Sequence, residues 1–145
     1  MDKNEILSLI GSLVDDSQVA VLATVDPDGK PSMRWMTPAI ISGRPASLFA
    51  VTAPNFRKVV HLKKNADVEW MIQTRDLKRV VNITGRVNVV DNPSLKSEVL
   101  ESIGKRLEIF WRVNRKTDFL VLETVITEAT FFEPLAKKKE TVPVR

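Results

Sequence analysis

The stretch "QVAVLATVDPDGKPSMRWMTPAI", from Gln18 to Ile40, restricts the fold more than any other part of the chain. Asp28-Gly29 is a strong turn signal between two apolar, β-branched runs, so the chain doubles back there as an antiparallel hairpin. Later segments repeat this logic. A break at Ser42 to Pro45 leads into "ASLFAVT", while "DVEWMIQT" and "RVVNITGRVNVVD" flank "RDLK" and predict a second antiparallel pair with its turn near Leu77. Gly85 interrupts the latter run and predicts a bulge. "DFLVLETVITEATFFEP" predicts a strand pair or one bent strand.

Three helical patterns are interspersed. Ile6, Leu9, Ile10, Leu13 and Val14 predict an amphipathic helix over about residues 3–16. Phe56, Val59, Val60 and Leu62 predict a second, and Asn92-Pro93 opens a third with its stripe through Leu95, Val99, Ile103, Leu107 and Phe110. About six strands and three helices without regular strand–helix alternation predict an antiparallel β-barrel with helical decoration. The 145 residues fit one domain, with a flexible basic tail over about 135–145 that contains Lys137, Lys138 and Lys139.

Composition removes several chemistries. Without cysteine there are no disulfides, thiolate nucleophiles or cysteine metal sites, and the one histidine, His61, cannot build a histidine metal cluster; no metal is expected. The start, "MDKNEILSLIGSL", fits neither a signal nor a transit peptide, and no apolar run reaches the roughly 20 residues that span a bilayer, so the expectation is a cytoplasmic protein without a membrane partner. A net charge of +4, 6% aromatics and no tyrosine do not supply a stacking platform for nucleic acid. With acid–base side chains so sparse, a cofactor would have to supply any redox reactivity.

Two places could hold a ligand. In "VTAPNFRKVVHL", Arg57 and Lys58 fall at a strand-to-helix junction, beside free N–H groups and the positive end of a helix, where cations are unfavourable unless an anion answers them. With Thr52 and the capping residue Asn55 they suit a phosphate monoester; the competing reading has both cations facing solvent. In "GKPSMRWMTPAI", Ser32, Arg34 and Met36 share one strand face and Met33, Trp35 and Thr37 the other. A mid-strand arginine needs a partner, which is either a ligand or an acidic neighbour on an outward face. His61 reads as a partly buried helix residue rather than a catalytic one.

The ordered set "ATVDPDGKPSMRWM", "LFAVT…FRKVVHLKKNADVEWMI" and "VNITGRVNVVD" resembles the pyridoxamine 5′-phosphate oxidase-like flavin-binding split-barrel family, in particular its general stress protein branch. The resemblance runs from about Val19 to Asp91, with a looser continuation through "DFLVLETVITEATFF". It implies an antiparallel split β-barrel and a homodimer with flavin mononucleotide (FMN) in clefts at the subunit interface. It also implies that Arg34, Trp35, Met36 and Thr37 run beside the flavin ring and ribityl chain, that Val51 and Thr52 end the strand meeting the phosphate, and that Arg57 and Lys58 hold that phosphate. Trp111 corresponds to an aromatic position that packs at the partner's cofactor cleft in some relatives or, alternatively, at the interface alone. Trp35 and Trp70 are further candidates for that interface.

Two positions depart from the family pattern: Asn55-Phe56 replaces a small hydroxyl residue before the Arg-Lys pair, and Val80 replaces a polar or aromatic side chain directed at the flavin, with Asn82 as a weak substitute. The resemblance implies an FMN-dependent oxidoreductase of unknown substrate, and not vitamin B6 oxidation. The alternatives are a non-catalytic flavin-binding or stress-response module, and a split barrel carrying a deazaflavin in place of FMN. Haem, bound by other related barrels, has only His61 to draw on.

Overall fold

In the computed structural model, which describes residues 1–53, 57–104 and 119–145, the first hairpin forms at Asp28-Gly29. It joins β1 (Ala20–Val25) to β2 (Pro31–Met36). The Asp26 carboxylate accepts the N–H groups of Asp28 and Lys30 at 2.9 and 2.8 Å, and Gly29 takes φ +82°, where only glycine is unstrained. The second pair, β4 (Asp67–Gln73) and β5 (Val80–Val90), turns over Thr74 to Arg79, with Leu77 in the left-handed region at φ 62°.

With β3 (Ser47–Thr52), β6 (Leu120–Glu133) and β7 (Lys138–Pro143), the strands form one antiparallel sheet in the order β2-β1-β4-β5-β6-β3, β7 pairing with β6. The path is open, with β2 and β3 at its ends, and an isolated bridge between Ala39 and Phe49 ties the segment after β2 back to β3. The sheet curls on itself: the indole Nε1 of Trp70 on β4 donates to Thr124 Oγ1 on β6 at 3.0 Å, although β5 lies between those strands in the ladder. This is a split barrel. Trp70 is 1% exposed and belongs to its core, so it is not the interface residue that the sequence allowed.

Helices close the barrel's open regions. α1 (Lys3–Ser17) is capped by Asp2, which accepts from Glu5 N–H at 2.8 Å, and buries Ile6, Leu7, Ile10, Leu13 and Val14 while packing on β4 and β7. α2 (Arg57–Lys64) packs on β1 and β5. α3 (Pro93–Ile103), capped by Asn92, sets Leu95, Val99 and Ile103 against Phe49, Val51 and Val121. β3 is therefore buried on both faces: Leu48 and Ala50 join the barrel core, while Phe49 and Val51 join the α3 cluster. Leu107, Phe110 and Trp111 lie outside the described residues.

The final apolar run takes the single-strand alternative as β6, and one expectation changes: the tail expected to be flexible supplies the seventh strand. In β7 the lysines mask a strand pattern: Val142 and Val144 are about 95% buried, and the N–H groups of Val144 and Arg145 both reach Thr127 O. A turn at Pro134 to Lys137 brings it back along β6.

Gly85 sits where the β5–β6 register shifts, and a Cβ there would lie 2.5 Å from Val125 O and 2.7 Å from Thr124 Cγ2. Both neighbours belong to β6, so the two strands approach this closely only because one residue lacks a side chain. Gly85→Ala is expected to destabilise the protein by about 1–3 kcal/mol through this overpacking, read as a lower midpoint in urea unfolding.

Candidate functional site

The adjacent cations at the head of α2 part company. Successive helix residues point about 100° apart, and here Arg57 is exposed while Lys58 is only 7% exposed. Lys58 is thus turned toward the barrel, on the buried face of α2 with Val59, His61 and Leu62.

A second cation approaches it from the sheet. Arg34 lies mid-way along β2 on the inward face; its Nη1 donates to Leu22 O and its Nη2 to Ser32 Oγ, both at 3.0 Å. The mid-strand arginine is therefore not turned outward to a carboxylate; a carbonyl and a hydroxyl hold it. Burial lowers its pKa, and burial first and the charge of Arg34 second push Lys58 down to about 8. Two like charges share one side of a partly dry interior.

Among the described residues three buried side-chain polar atoms have no hydrogen-bond partner: Thr24 Oγ1 on β1, Thr52 Oγ1 on β3 and His61 Nδ1 on α2. Thr52 is fully buried and ends β3, with four residues between it and the start of α2. Thr24, 1% exposed, stands opposite Ser32 in the β1–β2 register, two pairs from Arg34 and Leu22 and on the same face. His61, 4% exposed, is one turn along α2 from Lys58. Buried polar atoms are nearly always paired, so these three stand out as groups able to take a further polar partner.

The structure thus sets Lys58 within the electrostatic reach of Arg34 and buries Thr52 at the end of β3, while other expected residues face elsewhere. Trp35 points to the outer face of β2 and is 63% exposed, as is Met33 at 71%. Met36 is in the barrel core and Thr37 is buried just beyond the strand. Val51 faces α3, on the opposite side of β3 from Thr52. Val80 and Asn82 line an outer pocket of about 330 Å³ with Met71, Thr130, Phe132 and Lys139. Sequence reasoning left out Thr24, although counting outward from the Asp28-Gly29 turn pairs it with Ser32. Among the described residues no three His, Asp or Glu side chains are placed to hold a metal ion, and no helix is long and apolar enough to cross a membrane.

The pyridoxamine 5′-phosphate oxidase family matches residues 9–132. No curated protein matches the sequence. Among solved structures, a protein related to general stress protein 26 of B. subtilis (pyridoxinephosphate oxidase family), from Clostridium acetobutylicum, superimposes with a TM-score of 0.77 at 17% identity, covering 99% of this chain and 97% of that one. A pyridoxamine 5′-phosphate oxidase-related, FMN binding protein from Nostoc punctiforme gives 0.68 at 13% identity, covering 95% of each chain. A heme binding protein from Mycobacterium smegmatis gives 0.73 at 12%, covering 95% of this chain and 57% of that one. These likenesses establish the fold.

The electrostatics of Lys58 give a signed prediction for the ligand-free protein. Its pKa falls from 10.5 to about 8 on folding, a displacement worth about 3 kcal/mol. Because the unfolded chain holds the proton more tightly, the penalty is complete below pH 8 and is relieved as pH rises from about 8 to 10.5. Lys58→Met, which keeps the volume and drops the charge, is expected to be more stable than the parent at pH 7, with the gap in urea midpoints narrowing as pH climbs through that window.

Proposed function

Because this chain belongs to the pyridoxamine 5′-phosphate oxidase family, we propose that it binds FMN through the Lys58–Arg34–Thr52 cluster and acts as an FMN-dependent oxidoreductase. The observation that carries the reading is the buried Lys58 beside Arg34, with the unpartnered Thr52 hydroxyl at the neighbouring strand end. A phosphate dianion answers each feature: it offsets two like charges, accepts from the threonine, and suits the free N–H groups and dipole at the start of α2. Arg57, exposed beside Lys58, adds charge at the mouth of the site.

When bound, the flavin supplies the hydride chemistry that these side chains cannot. The chain's own residues bind and orient it. Lys58 and Thr52 would hold the phosphate, and Arg34, fixed by Leu22 O and Ser32 Oγ, would add a second positive charge beside it. His61, the one imidazole, is buried within α2, so any proton exchanged during turnover passes to solvent rather than to a dedicated histidine.

The reading includes a homodimer. Met33 and Trp35 on β2, with Val21 and Met71 beside Trp35 in the register of β1 and β4, make an apolar band on the outer face of the sheet. A second copy of this chain is the occupant that this reading assigns to the band.

The purified protein is expected to show the visible absorption of flavin, or to acquire it on addition of FMN; a colourless protein that takes up none overturns the reading. In titrations followed by flavin fluorescence, Lys58→Ala is expected to weaken FMN binding by about 1.5–3 kcal/mol, and Arg57→Ala by less, because an exposed cation is screened by solvent. For the dimer, Trp35→Glu places a charge in the apolar band and is expected to shift the protein to monomer in light scattering, with its circular dichroism unchanged.

A further inference from the structure

The FMN reading employs one of the three orphaned polar atoms, Thr52 Oγ1, and leaves Thr24 and His61 without a role. Both are more than nine-tenths buried, and they sit on β1 and α2, which pack directly on each other. Lys58 and His61 share the buried face of α2 one turn apart, and Lys58 lies within the field of Arg34, whose strand neighbour Ser32 faces Thr24 across the hairpin. Thr24 and His61 therefore stand on two elements packed against each other, one of which carries Lys58 and the other pairs with the strand of Arg34.

Resting on that FMN reading, we infer that Thr24 and His61 are further ligand-binding residues, donating or accepting hydrogen bonds with the hydroxyl-bearing chain that links the phosphate to the rest of the ligand. Position along the helix separates their role from that of Lys58. His61 is displaced by about 4.5 Å from the first turn, beyond the reach of a phosphate seated at the free N–H groups. Neither side chain carries a fixed negative or positive demand as an orphan. A hydroxyl, which both donates and accepts, satisfies Thr24 Oγ1 and either tautomer of His61 at Nδ1. Leaving such groups bare in a folded protein is costly, and a ligand that satisfies them removes that cost.

The test compares Thr24→Val and His61→Leu, which erase the orphaned atoms with little change in shape, with Thr24→Ser and His61→Gln, which retain a hydrogen-bonding group. Each apolar variant is expected to raise the FMN dissociation constant about three- to tenfold while leaving the ligand-free melting temperature equal or higher, since it removes an unsatisfied polar atom. The polar variants are expected to bind FMN within about twofold of the parent, because they keep the donor or acceptor. A merely structural role predicts the reverse pattern: lower ligand-free melting temperature and unchanged FMN affinity. Unchanged affinity in both apolar variants, or affinity lost only together with ligand-free stability, overturns the inference while the FMN reading stands. If the unsubstituted protein binds no FMN, both fall.

Discussion

Enclosing the Lys58 ammonium beside the Arg34 guanidinium is the constraint on which the rest of the structure depends. Removing a charge from water costs several kcal/mol even after relaxation, and a second cation nearby adds repulsion where the dielectric is low. α2 starts at the same place and adds the positive end of its dipole. Burial and the neighbouring guanidinium act on the ammonium in the same direction, so both disfavour its charged form. That cost is local, and the apolar barrel and the α3 cluster supply the stability that tolerates it.

The curl of the sheet makes the enclosure possible. β1 and β2 alone would present Arg34 on an open face; it becomes interior because the sheet bends until β4 and β6 exchange a side-chain hydrogen bond through Trp70 and Thr124. Gly85 permits the close approach of β5 to β6 on which that curvature relies, and the register shift at Thr84/Gly85 is its backbone signature. α2 then covers β1 and β5 on the concave side and delivers Lys58. A fault in the bulge would therefore be felt at Lys58 and Arg34, through the spacing of strands rather than through any direct contact.

Much of this was legible in the sequence where the signal is local. Asp28-Gly29, the turn near Leu77, the Gly85 bulge, the Asn92-Pro93 entrance and the stripe of α1 each act within a few residues, and each appears where its chemistry predicts. β7 was hidden because its lysines dominate the composition, while the alternation that buries Val142 and Val144 is only a few residues long. The parting of Arg57 and Lys58 depends on the phase of α2, which cannot be counted without knowing its first residue. Thr24 and His61 could not be recognised as orphans from sequence at all, since an unmade hydrogen bond is a property of the surroundings.

The two faces of the sheet also divide what the sequence joined. Arg34, Thr24 and Thr52 are interior, whereas Val80 and Asn82 open outward on β5, three strands along the path from β2. Strands stand about 4.8 Å apart, so these groups are separated both by the thickness of the sheet and by more than the width of a flavin's polar chain. One ligand cannot touch both sets within a single copy of the chain. A cofactor that meets Lys58 in one copy and the outer pocket in another must lie between them, and the exposed Met33 and Trp35 stand on that same outer face. In the proposed dimer, the apolar band that pairs the copies would also decide whether the outward residues of β5 reach the ligand.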